Sequence, residues 1–143
     1  LAFEGVTAKR AVHICYGYGV PQVLAWKSLN KDWNQYHHTL PLLAKSSIDQ
    51  VSVECTASGI NLEVLELLKG KEVMVGVIDV GTEQVETPDL VAKRIEAALK
   101  FVPPEHMIAC TDCGLVPRSR HAAVGKMHAL ARGAELVNGT PKP

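Results

Sequence analysis

Residues 48–80 read IDQVSVECTASGINLEVLELLKGKEVMVGVIDV, and three patterns follow one another there. Ile48 to Cys55 is a β-prone apolar run. Asn61 is a helix cap for Leu62 to Lys69, where Leu62, Leu65 and Leu68 recur at helical spacing and Gly70 ends the segment. Val73 to Val80 is nearly continuously apolar, the mark of a strand covered on both faces. A strand, a helix and a second fully covered strand predict two parallel strands joined by a helical crossover.

The same alternation extends both ways. Upstream, Val12 to Tyr16 is a strand closed by Gly17 and Gly19. A long connection, Val20 to Gln35, leads to a helix over Tyr36 to Lys45 that carries Pro41. Downstream, Thr87-Pro88-Asp89 joins a hydroxyl cap, a proline at the first helical position and an acid against the positive end of the dipole. Val91, Ile95, Ala98 and Val102 form the buried stripe of that helix, and Pro103-Pro104 ends it. Met107 to Cys110 is the fourth strand. A last helix spans Arg120 to about Leu136, with Val124, Met127 and Ala131 as its apolar positions.

The expected fold is α/β, four βα units in series, which is half of a (β/α)8 barrel whose full length is typically about 250 residues. An open half would leave two sheet edges unpaired. Residues 1–143 are therefore expected to be a fragment of a longer chain that needs a missing N-terminal half or a partner subunit.

Composition narrows the function. The 143 residues are 47% hydrophobic and 21% charged with a formal net charge of zero, so there is no electrostatic footprint for nucleic acid or an anionic membrane. Apolar runs fall far short of the ~20 residues of a membrane span. Of the four cysteines, Cys15, Cys110 and Cys113 sit at strand ends rather than in a short disulfide framework, and the expected compartment is the reducing cytoplasm.

Four of the strand-end residues carry metal-binding chemistry: His13 and Cys15 in HICYGYG, Glu54 in VSVEC and Cys113 in CTDCG. One imidazole, two thiols and a carboxylate suit zinc. His13 and Cys15 are two apart on one strand and share a face, leaving Val12, Ile14 and Tyr16 for the helices. Alone, H-x-C is also compatible with a core histidine. Glu54 alone is also compatible with a salt bridge or a cap acceptor, because a carboxylate ending a buried strand must be paired, protonated or metal-bound. Cys110 and Cys113 form a C-x-x-C, but the first lies inside the strand and no second pair completes a zinc ribbon. Cys55 reads as a buried small hydrophobe. His37, His38, His106, His121 and His128 read as background, Asp79 as a residue at the rim of the cavity or a structural acceptor, and Trp26, Trp33 and Tyr36 as a lid or simple packing.

At HICYGYG, VSVEC, VGVID and TDCG, on successive strands, the chain resembles the catalytic C-terminal domain of cobalamin-independent methionine synthases, over about Ala11 to Val137. VECTAS and VPRSR bring it nearer to the short, single-barrel members. The resemblance implies a zinc-dependent homocysteine S-methyltransferase in which His13, Cys15, Glu54 and Cys113 bind the metal. Glu54 is expected to be the catalytic ligand that weakens when the substrate sulfur arrives. The long enzymes carry a folate-associated histidine where this chain has Gly81, so the methyl donor is expected to be methyltetrahydrofolate or methylcobalamin. Contacts to the amino and carboxylate groups of homocysteine are expected from the missing half. The competing expectations are an alkyltransferase for another thiol such as coenzyme M, a non-catalytic zinc-stabilised module, and a metal-free barrel.

Overall fold

The computed structural model describes residues 3–30 and 34–139. Its four strands are β1 (Ala11–Ile14), β2 (Gln50–Val53), β3 (Glu72–Ile78) and β4 (Met107–Thr111), all parallel and ordered β1-β2-β3-β4. Helices α1 (Pro21–Leu29) and α2 (Gln35–Ala44) join β1 to β2, α3 (Pro88–Ala98) joins β3 to β4, and α4 (Arg120–Val137) follows β4. This is the predicted series of four βα units, half of a TIM barrel. Among the described residues no helix is long and apolar enough to cross a membrane.

The core lies between one sheet face and the helices. Val51, Val53, Val73, Val75 and Val77 meet Leu40, Leu65, Leu68, Val91 and Ile95 there. Val12, Ile14 and Tyr16 pack against the same cluster, as the alternation along β1 requires. The opposite face presents His13, Ser52, Met74 and Cys110 to an open groove of about 350 Å³.

Local chemistry sets the ends of the elements. The Thr87 hydroxyl accepts the Leu90 N–H at 3.3 Å, and Asn61 Oδ1 accepts the Glu63 N–H at 3.1 Å. Gly70 has φ +88°, the left-handed conformation that lets the chain turn back directly into β3.

Three local expectations are revised. Leu62–Leu68 is a 3-10 helix rather than an α-helix. A repeat of three residues per turn stacks Leu62, Leu65 and Leu68 in one line, so the same spacing serves the tighter coil. The segment expected as a connection holds α1, which starts with Pro21 in its first turn and buries only Lys27. In α4, Val124 and Met127 are 48% and 50% exposed, and the buried positions are Ala122, Lys126, Ala129 and Gly133. Close approach to α3 explains this. A Cβ on Gly133 would lie 2.5 Å from Val91, and one on Gly125 would lie 2.8 Å from Val85. The interface selects small residues and turns the large ones outward.

Candidate metal centre

The carboxyl ends of the strands converge on one corner. His13 lies on β1, Cys15 just past its end, and Cys113 in the turn after β4. Their ligand atoms all lie within 4.8 Å of one another. Cys15 Sγ and Cys113 Sγ are 3.7 Å apart although 98 residues separate them in sequence. Side chains from β1, the residues just past it and the turn after β4 meet here, and the donor set of one imidazole and two thiols fits zinc or another thiophilic divalent ion.

The surroundings prepare these groups. His13 Nδ1 lies 2.9 Å from Ser52 Oγ, on its register partner on β2, a contact that orients the ring and engages one of its two nitrogens. Partial desolvation lowers the His13 pKa from its ordinary 6.5 against the opposing pull of the Glu54 charge, favouring the neutral ring that a metal needs. Burial raises the Cys15 thiol, which also has Cys113 beside it. A bound metal would take the thiols as thiolates.

Glu54, just beyond β2, is fully buried. Its Oε2 accepts the Tyr16 N–H at 2.8 Å and its Oε1 is paired with the Lys27 ammonium. Glu54 therefore borders the site but stands outside the compact His13, Cys15 and Cys113 group. Of the expected environments of this carboxylate, the salt bridge is the one it shows.

Asp112 precedes Cys113 and is also fully buried. Its carboxylate accepts N–H bonds from Cys55 and Thr56, both at 3.0 Å, and from Ala57 at 2.7 Å, and the Tyr18 hydroxyl at 3.4 Å. The three backbone donors lie past β2, so the side chain reaches across β3 from β4. It can do so because residue 76 is glycine: a Cβ there would sit 2.1 Å from Asp112 Oδ1. Burial pushes the Asp112 carboxyl up to about 6, against the three backbone bonds that hold it down. Asp112 thereby ties the Cys113 turn to the segment that follows Glu54.

The remaining candidates have other roles. Cys55 is buried, its thiol raised well above the usual range by burial. Cys110 lies inside β4, its thiol pushed up to about 11 by burial, with Sγ 4.0 Å from Ser52 Oγ. The four cysteines are free thiols. Asp79 Oδ1 accepts the Gly81 N–H at 2.6 Å, a local turn. His37, His38, His106, His121 and His128 are exposed. Tyr36 is buried and donates to the Glu54 carbonyl at 3.2 Å, while Tyr16 packs between Trp26 and Tyr36. Trp33 lies outside the described residues.

Sequence reasoning missed Lys27 and the bridging role of Asp112. A glycine in the middle of an apolar strand was the available signal for Asp112, since it marks close approach by another group. Nothing marked Lys27 within a segment read as a connection.

The chain is similar to known proteins over almost its whole length. Residues 32–135 match the family described as cobalamin-independent synthase, catalytic domain. A methionine synthase of Saccharolobus solfataricus is 33% identical over 140 residues, covering 95% of this chain and 36% of its own length. One of Sulfurisphaera tokodaii is 29% identical over 138 residues, with 95% and 35% covered. The solved B12-independent methionine synthase from Shewanella sp. W3-18-1, in complex with selenomethionine, superposes with a TM-score of 0.91 at 47% identity, over 96% of this chain and 41% of that one. The chain thus spans about a third of the length of these curated relatives. With a family match over most of its length and the thiol–imidazole cluster at its strand ends, the chain belongs to the cobalamin-independent methionine synthase family, as part of the catalytic domain.

Proposed function

We propose that this chain is the metal-bearing half of a zinc-dependent homocysteine S-methyltransferase of methionine biosynthesis, working in the cytoplasm together with a further half-barrel. The observation that carries the proposal is the meeting of His13, Cys15 and Cys113 within 4.8 Å at the carboxyl edge of a parallel sheet, where barrel enzymes place their chemistry. His13, Cys15 and Cys113 would hold the ion, with Glu54 as fourth ligand. Bound there, zinc supplies a Lewis acid that keeps the homocysteine sulfur as thiolate, where a free thiol of pKa about 8.5 would be mostly protonated.

The residues of this chain do the rest. Ser52 orients the His13 ring, and Asp112 fixes the Cys113 turn against the Glu54 segment. Two thiolates and a carboxylate exceed the charge of the dication by one, which limits withdrawal of electron density from the incoming sulfur. Glu54 is the hardest donor of the set, and the one already engaged elsewhere, by Lys27 and the Tyr16 N–H. It is therefore the ligand expected to weaken when the sulfur binds.

The methyl donor is methyltetrahydrofolate or methylcobalamin. Gly81 weighs against the folate route: a Cβ there would lie 3.0 Å from Asp79 Oδ1 and 3.5 Å from the Tyr18 ring, leaving little room for a histidine.

Zinc X-ray absorption on the full-length protein, with and without homocysteine, tests the proposal. Two sulfurs and one imidazole are expected at rest, a third sulfur with homocysteine, and a weaker zinc–oxygen shell. Unchanged zinc–oxygen coordination would count against the role of Glu54. Coenzyme M in place of homocysteine tests the other thiol. A protein that unfolds without zinc, and whose metal ignores every thiol, would be a structural module instead.

A further inference from the structure

Lysine is rarely buried without a partner, yet Lys27 is the residue that α1 buries, at 8% exposure. Its ammonium faces Glu54 Oε1, lies 3.5 Å from the Gly17 carbonyl oxygen and sits 3.7 Å from the centre of the Tyr18 ring. Each of these partners borders the metal-binding corner: Gly17 and Tyr18 follow Cys15 in the chain, and Tyr18 also reaches Asp112. The other Glu54 oxygen is held by the Tyr16 N–H, so the carboxylate has one fixed and one ion-paired oxygen.

We infer that Lys27 is a positioning residue that acts through Glu54, setting how strongly that carboxylate donates to a cation held by His13, Cys15 and Cys113. This rests on the zinc reading above. An oxygen that already accepts from an ammonium donates less to a metal, and the ammonium cancels the excess negative charge of two thiolates and a carboxylate around a dication. The residue type matters. A guanidinium would clamp both oxygens in a rigid fork, whereas an ammonium on a flexible stem is a point charge that engages one oxygen without a fixed geometry. Lys27 thus holds one oxygen of Glu54 in place and leaves it weakly committed to a metal.

The experiment is zinc titration of the metal-free full-length protein against a chromophoric chelator, with zinc X-ray absorption on the same samples. Lys27→Met is expected to bind zinc at least fivefold tighter than wild type, with a stronger zinc–oxygen shell. In a Glu54→Gln background the same substitution should change zinc affinity less than twofold, because the residue through which Lys27 acts is gone. A purely structural lysine would lower stability without raising zinc affinity, so unchanged or weaker binding by Lys27→Met overturns the inference. If Lys27→Met does not fold, Lys27→Gln is compared with wild type by the same titration; tighter zinc binding supports the inference, and unchanged or weaker binding overturns it. A wild-type protein that binds no zinc would overturn the zinc reading and this inference together, whereas an unresponsive Lys27→Met overturns this inference alone.

Discussion

At the carboxyl end of the sheet Glu54 and Asp112 are fully buried, whereas at the amino end Asp49 and Glu72 stand half in solvent. Both ends carry charge, and both satisfy it. Glu54 and Asp112 do so with Lys27, the Tyr16 N–H and the 55–57 backbone. Asp49 takes Arg10, and Glu72 takes Lys9 and Gln50. Solvent screens the second set, so each pair there contributes little to stability. In the buried set, removing one partner strands the other. Barrels place their functional groups at the carboxyl end, and it is at that end that charge has been withdrawn from water.

The sharpest way to break this contrast is Asp112→Ala. Three backbone N–H groups would lose a charged acceptor, for an expected loss of about 4 kcal/mol, read by chemical denaturation. Asp112→Asn keeps one acceptor oxygen and should lose roughly half as much. A loss under about 1 kcal/mol for Asp112→Ala would mean that the buried carboxylate is no more consequential than a surface one.

Gly76→Ala probes the same bridge from β3. The new Cβ would meet Asp112 Oδ1 at 2.1 Å and Asp112 Cα at 2.9 Å, and only the first of these can rotate away. The expected cost is about 3 kcal/mol. Combined with Asp112→Ala the two losses should sum to less than their separate values, because the carboxylate that clashes is gone. Strict additivity would show that Asp112 does not cross β3 as drawn.

Much of this architecture was legible in the sequence, and the residues that escaped share a cause. β2, β3 and α3 announced themselves by apolar runs, by the Thr87 cap and by the buried Val91, Ile95 and Ala98 stripe. His13, Cys15 and Cys113 declared themselves by chemistry at strand ends, and the structure brings them together. Periodicity failed where size or charge, not hydrophobicity, decides burial. The inward face of α4 is set by the close approach of Gly133 to Val91, so its apolar Val124 and Met127 point out. The inward face of α1 holds a lysine, so no apolar stripe revealed the helix. Glu54 was open to two readings, a metal ligand or a salt-bridged acceptor; its carboxylate is paired with Lys27 and the Tyr16 N–H and stands outside the His13, Cys15 and Cys113 group.

The smallest effect is expected at the amino end, where Asp49→Asn tests the exposed side of the contrast. Asp49 Oδ2 accepts the Arg10 backbone N–H at 2.8 Å and Arg10 Nε at 3.0 Å, and these bonds hold its carboxyl below the ordinary 3.8. A carboxyl with a lowered folded-state pKa stabilises the fold above its unfolded value and ceases to do so as pH falls through the folded one. The gap in stability between wild type and Asp49→Asn should therefore be constant from neutral pH down to about 4 and close as the pH drops further. Added salt should narrow it as well, because this pair is screened by solvent. Paired denaturation curves at pH 7 and at pH 3, in low and high salt, measure both trends. A gap that persists unchanged at pH 3 and in high salt would place Asp49 with Asp112 among the charges that water does not reach, and the two ends of the sheet would no longer differ in kind.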